Sequence, residues 1–463
     1  MTLAASPQTS SLTSRVARLA WPILVGQLAV IGNGVIDTVM TARYSANDLA
    51  ALGLGASIYI SVFVGLSGVL QALSPTIAQL FGAKKYAAIG AEVRQGVWLA
   101  IFLSLVGASL LSFPHVLLSI AQAPPDMTDK VERYLHILSL ALPATLGFRV
   151  YASLNTALSR PRTVMLLQLA GLGLKIPLNA VFIFGALGLP SYGSPGCAIA
   201  TAISTWLVVL ASWMILRKDH FFKQFEIFGY GVDRPRWKSQ SALLKLGLPM
   251  GLSYLIEVTA FTFMALFIAR LGSNALAAHQ ITANFGTVLY MLPLSIANAT
   301  TTLVAQEIGA GRLLSARQTG HAGIKLGIIL SVSIGLIVWL SRAYIIGLYT
   351  PDTGVAQAAM PLFFFIAFYQ LFDAIQVGTA FVLRAYKVAT IPTLMYAVAL
   401  WGVGLGGGYV IGFNITGFTP DFLLGAAGFW LGNSLSLAMV GFALAWYLKR
   451  VQQIMEREQA LAT

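Results

Sequence analysis

The sequence predicts an all-α membrane protein of twelve transmembrane helices, arranged as two six-helix lobes related by a pseudo-two-fold axis along the membrane normal. Three observations predict it: a composition starved of charge, twelve apolar stretches with one-sided flanking charge, and an internal repeat. Of 463 residues, 57% are hydrophobic and 10% charged, and mean hydropathy is +0.78. A water-soluble chain carries roughly 25% charged residues. Fewer than half that share cannot dress an aqueous surface, whereas lipid penalises charge. The outer surface therefore faces lipid.

In chain order, residues 1–15 read as a cytoplasmic tail. Met1–Ser14 carries no charged side chain, and the apolar span that follows is flanked by Arg15 and Arg18. It has neither a short apolar h-region nor an A-x-A cleavage signal, so it is expected to remain as a transmembrane helix. Crossing the hydrocarbon core takes about 20 apolar residues. Stretches of that kind fall at 16–42, 52–80, 95–114, 134–157, 164–188 and 196–216, giving an N-lobe over 16–216. A cytoplasmic connector, 217–242, separates them from 243–269, 278–306, 322–347, 357–383, 391–412 and 424–448, the C-lobe over 243–448. Residues 449–463 form a second cytoplasmic tail.

The basic residues give an independent check. With an even number of spans and both termini in the cytoplasm, only Arg43, Lys130, Arg133, Arg270 and Arg342 fall outside, and Arg149 and Lys175 lie within spans. The other 22 of the 29 Lys and Arg fall on the cytoplasmic side. That is the positive-inside bias, and a miscounted span would scramble it. The net charge of +13 is therefore topological, not a nucleic-acid footprint. The single cysteine, Cys197, excludes an intramolecular disulfide and any cysteine-based metal cluster.

The halves align without gaps at an offset of 227: Leu19 and Pro22 match Leu246 and Pro249, and Ala42-Arg43 matches Ala269-Arg270. Further along, Ala78-Gln79 and Gly82-Ala83 match Ala305-Gln306 and Gly309-Ala310. Each half holds six spans and enters the bilayer from the same side. Duplicated bundles of this kind bind substrate between the halves and rock to expose it alternately.

Three acids lie well inside spans: Asp37, Glu257 and Asp373. An acid near a helix centre costs about 2.5–3.5 kcal/mol, so function is the default reading; the alternative is a structural hydrogen-bonding role. Tyr369 precedes Asp373 by one turn on the same face. With Glu257 they form a hard-oxygen cradle for Na⁺ or a proton-exchanging pair. Asp37 has Asn33 one turn earlier, and Lys175 in the fifth span, followed by Asn179, is the expected partner of Asp37. Arg149 is expected either to need a partner or to satisfy backbone carbonyls. Pro22 and its repeat mate Pro249 are hinge candidates. Aromatics including Phe285 and Tyr290 offer cation–π faces or simple packing. His279 reads as an interfacial residue. The glycines of Gly402–Gly408, and Gly428 with Gly432, read as close helix packing. There is no G-x-x-x-x-G-K-[ST] loop for a nucleotide, no H-E-x-x-H, and no nucleophile–base set that would make this a membrane enzyme.

The chain resembles the MATE family (multidrug and toxic compound extrusion), in its NorM-like branch, from about Arg15 to Arg450. Val35-Ile36-Asp37-Thr38-Val39-Met40, Ser159-Arg160-Pro161-Arg162, Pro177-Leu178-Asn179, Gly251-Leu252-Ser253-Tyr254 leading to Glu257, and Leu383-Arg384-Ala385-Tyr386-Lys387 carry the likeness in order and spacing. The resemblance implies a V-shaped two-lobed exporter of cationic amphipathic molecules in exchange for inward Na⁺ or H⁺. It would sit as a monomer in a bacterial inner membrane, with no cofactor, nucleotide or nucleic-acid partner. It places Glu257, Asp373 and Tyr369 at cation-coupling positions and Asp37 and Asn179 at polar positions of the first lobe. Gln280, and Asp352 at the outer mouth, match positions linked to ligand contact. A lipid-linked oligosaccharide flippase of the same broad superfamily is the rival reading; it would favour a cationic central cavity.

Overall fold

The computed structural model describes residues 11–114, 125–229 and 233–462, so most of the expected N-terminal tail lies outside the described residues. Among the described residues, twelve helices are long and apolar enough to cross a membrane. They are α1 (Leu12–Tyr44), α2 (Ala46–Gly82), α3 (Tyr86–Ser112), α4 (Met127–Ala157), α5 (Pro161–Phe184) and α6 (Ser194–Lys218), then α7 (Trp237–Ala269), α8 (Ser273–Gly309), α9 (Leu313–Leu340), α10 (Thr353–Ala385), α11 (Thr390–Gly412) and α12 (Ala426–Leu461). In hydrocarbon every backbone polar group must be satisfied within the segment, which is why such stretches become helices.

The elements depart from the expected spans in three places. α2 breaks at Gln71 and Ala72, leaving Ala46–Leu70 and Leu73–Gly82 as separate pieces. α10 breaks at Met360 and Pro361. The stretch expected as one span at 322–347 is α9 plus a separate short helix, Arg342–Tyr349. Beyond residue 448 the chain continues as helix, and it is tied to the α8–α9 turn by Arg317–Glu456 at 3.3 Å and by Gln459 Nε2 donating to Gly311 O at 2.7 Å. Arg15 and Arg312 both pair with Glu307 in the same region, so the two ends of the chain share one end of the bundle.

Packing follows the repeat. In the first half α4 packs on α6, α2 on α4, α3 on α4, α5 on α6 and α1 on α5. The second half repeats each pair six helices later, from α10 on α12 to α7 on α11. The halves meet through α1 on α8 and α2 on α7, which exchange under the same rule. The expected close packing holds in part: a Cβ added at Gly428 or Gly432 would lie 2.7 or 2.6 Å from the backbone nitrogen of Gly412 or Gly408, whereas one at Gly402 or Gly407 would meet nothing within 4 Å.

At the end carrying the termini, α2 crosses α8 through the matched glycines. A Cβ at Gly82 would lie 1.9 Å from Gln306 O, and one at Gly309 1.9 Å from Gln79 O. Beside this crossing Gln79 Nε2 donates to Ala385 O at 2.8 Å, and Gln306 Nε2 donates to Ala157 O at 2.7 Å. Each half thus clasps a helix end of the other with the same glutamine.

Candidate cation and ligand sites

The first-half site is built on α1 and α5. Proline at the start of α5 and the left-handed Gly185 at its end fix the helix. That places Lys175 and Asn179 on one buried face. Lys175 Nζ lies 3.0 Å from Asp37 Oδ2, Asn179 Nδ2 donates to Asp37 Oδ1 at 2.8 Å, and Lys175 also donates to Thr201. The expected Asp37–Lys175 pair is therefore present. Asn33 does not join it; its amide donates to Ala29 O. The Asn179 Oδ1 is buried without a partner.

The second-half site is less satisfied. Asp373 is 1% exposed, and its Oδ2 has no hydrogen-bond partner. The carbonyl oxygens of Gln370 and Gln376 on the same helix, and Nδ1 of His279 and Nε1 of Trp430, are likewise buried and unpartnered. Native proteins leave few such atoms, and a concentration of them offers acceptors and donors to water or an ion. Tyr369 stands edge-on to Trp430 at 5.8 Å and to Phe261 at 6.3 Å. Glu257 lies within electrostatic range of Asp373 and opens on a pocket of about 20 Å³ shared with Tyr290, Tyr396, Gln376 and Arg384, room for about one water. Among the described residues, no group of three His, Cys, Asp or Glu converges on a metal-sized site. The oxygen-rich set suits a hard monovalent cation or a proton.

Other expectations change. His279 is 2% exposed and packs on Trp430 at 5.9 Å, so it is a core residue rather than an interfacial one. Arg384, counted on the cytoplasmic side just past the span expected at 357–383, lies within α10 and is buried against Phe381 and Tyr254 with ring distances of 4.0 and 5.4 Å. Arg149 makes no hydrogen bond to a backbone carbonyl, and its Nε is unpartnered. Asp352 is a helix cap: its Oδ1 accepts from Gly354 N and Val355 N at 2.7 and 3.1 Å. Gln280 is exposed near the start of α8, and Phe285 packs on Phe363 at 6.0 Å. Neither joins the Glu257 pocket. Pro249 O accepts from Thr393 Oγ1 at 2.8 Å, while Pro22 lines a pocket between the halves. Sequence reading missed Gln370, Gln376, Tyr396 and Trp430; an amide one turn either side of an intramembrane acid was the available signal for the glutamines.

A duplicated twelve-helix bundle with unsatisfied polar atoms buried in both halves defines a multi-pass integral membrane protein of the transporter type. The MatE family model matches residues 22–181 and again 249–410, two stretches that begin 227 residues apart. The chain belongs to the MatE family. It is 39% identical over 461 residues to the probable multidrug resistance protein NorM of Aromatoleum aromaticum, covering 100% of this chain and 98% of that one. It is 36% identical over 446 residues to the multidrug resistance protein NorM of Vibrio vulnificus, covering 95% and 97%. Among solved structures, an outward-facing multidrug resistance MATE family transporter of the MOP superfamily aligns at TM-score 0.87 and 17% identity, covering 99% and 100%. The eukaryotic MATE transporter AtDTX14 aligns at 0.84 and 19%, covering 97% and 99%; these likenesses show the fold.

Proposed function

We propose that this chain exports cationic amphipathic small molecules by antiport against inward Na⁺ or H⁺. The observation that carries the reading is the buried, unpartnered carboxylate of Asp373 beside the Glu257 pocket. Two carboxylates in electrostatic range repel when both are ionised, and a cation between them removes that repulsion. The unpartnered Gln370 and Gln376 oxygens are suited to complete its shell, with the Tyr369 hydroxyl as a further candidate. The printed names of the relatives, multidrug resistance proteins, support the cargo. Asp37, already neutralised by Lys175, serves the first half as a closed ion pair that an organic cation would have to disrupt. Tyr290 offers its ring at the Glu257 pocket, Pro22 and Pro249 absorb the rocking of the halves, and the end carrying both termini faces the cytoplasm of a bacterial inner membrane.

Cation entry from outside drives the cycle: one charge moved through 100 mV supplies about 2.3 kcal/mol, and a concentration gradient adds to it. Proteoliposomes loaded with a fluorescent organic cation, with Na⁺ and pH gradients imposed separately, test the reading and identify the ion. Asp373→Asn and Glu257→Gln should each reduce gradient-driven efflux to the level of empty vesicles while the protein still inserts. Full efflux by the double variant would refute the mechanism.

A flippase reading gains one observation, a basic pocket between the halves. That pocket, of about 80 Å³, is too small as it stands for either cargo, and the relatives' printed names, multidrug resistance proteins, keep export the first reading.

A further inference from the structure

The pocket lies between the halves, with fourteen of its nineteen lining residues from the first. Its walls include the repeat-matched pairs Gln71 and Asn298, and Ser74 and Thr301. Two arginines line it, Arg149 from α4 and Arg384 from the equivalent helix α10, and among the described residues no Asp or Glu does. Arg384 is partly accounted for: it donates to Tyr254 Oη at 3.3 Å, Tyr254 in turn donates to Gln71 Oε1 at 3.1 Å, and it borders the Glu257 pocket. Among the described residues Arg149 has no ion pair, and its buried Nε has no hydrogen-bond partner. A guanidinium is always charged and presents a planar fork suited to carboxylate and phosphate oxygens. Arg149 is intermediate in exposure, so its charge is partly withdrawn from water, and a counter-charge in the pocket would offset that part.

We infer that this pocket binds one oxyanion, a phosphate or carboxylate group held by Arg149 with Arg384 and the surrounding amides and hydroxyls. A volume of about 80 Å³ admits several waters or a single oxyanion headgroup, and is well below the roughly 300–1,000 Å³ of a drug-sized site. Charge-assisted, bidentate bonds are the strongest available to such a group. Two sources share this chemistry, free phosphate and a phospholipid headgroup. The binding does not depend on the antiport mechanism and is measured without a gradient.

The test uses purified, delipidated full-length protein. One arm measures radiolabelled inorganic phosphate by equilibrium dialysis at constant ionic strength. The other measures retention of phosphatidylglycerol against diacylglycerol by native mass spectrometry. Saturable binding of one molecule per chain in either arm, weakened at least tenfold by Arg149→Gln and unchanged by Arg450→Gln on the exposed face of α12, supports the site. Phosphate binding identifies the free anion, and phosphatidylglycerol retention alone identifies the headgroup. Should Arg149→Gln fail to fold, Asn298→Asp supplies an internal carboxylate in the same pocket and should abolish binding in a monodisperse protein. Absence of binding in both arms, or undiminished binding in the folded variants, overturns the assignment.

Discussion

At the residue scale the halves treat buried acids in opposite ways. Asp37 has a cation and an amide, whereas Asp373 has neither. Removing one member of a buried ion pair leaves an uncompensated charge, a loss of about 3–5 kcal/mol. Lys175→Met should therefore lower stability by up to about 3 kcal/mol, the reduction reflecting the slight exposure of Asp37. Adding Asp37→Asn should restore most of it, which thermal unfolding of the four proteins in detergent would read as a coupling. Strict additivity would refute the pairing. This pair was legible in the sequence because two opposite charges inside apolar spans have few other partners. Gln370 and Gln376 were not, because an amide barely perturbs hydropathy and only its missing hydrogen bond marks it. Arg384 was misassigned for a related reason: a cation near a span end reads as loop until Phe381 and Tyr254 are seen to cover it.

At the scale of elements, the repeat motif Ala78-Gln79 with Gly82 and its mates Ala305-Gln306 with Gly309 turn out to be the α2–α8 crossing itself. The sequence contained the motif but not its purpose, since the glutamines act on the opposite half and hydropathy cannot see partners. The break at Gln71–Ala72 was invisible for the same reason, whereas at Met360–Pro361 the proline itself marks a kink or a helix start. Contacts of 1.9 Å from an added Cβ to backbone carbonyls cannot be relieved by side-chain rotation. Gly309→Val should therefore part the halves at the end carrying the termini. A cysteine at Ser74 in the pocket, in a Cys197→Ser background, should then react with a water-soluble maleimide much faster than in the parent. An unchanged rate would show that the crossing is not the closure. Gln79→Ala and Gln306→Ala should have milder effects, about 1 kcal/mol each, with Gln306→Ala the larger because it also loses the bond to Ser159 Oγ.

At the scale of the whole molecule, charge asymmetry and duplication make one claim: both halves entered the bilayer in the same orientation, so a two-fold axis runs along its normal and either end can close. The structure places Arg15, Glu307, Arg312, Arg317 and Glu456 together at one end, where the connector is also tied down through Arg94–Asp233 at 2.6 Å and Arg160–Asp219 at 2.8 Å. The Asp219 carboxyl is held below its ordinary range by the Phe221 backbone N–H and by Arg160. Its contribution is therefore present above the unfolded value near pH 4 and lost as pH falls through the lower folded value, so this end is fully assembled at cytoplasmic pH. Positive loops resist translocation, and the proposed topology turns this end inward. In intact cells expressing the Cys197→Ser protein, an impermeant maleimide should label Phe418→Cys, in the exposed α11–α12 loop at the opposite end, and should reach Lys223→Cys in the connector only after permeabilisation. Labelling in the reverse order would invert the chain in the membrane. The cation site would then load from the cytoplasm, and the driving force would favour uptake over export.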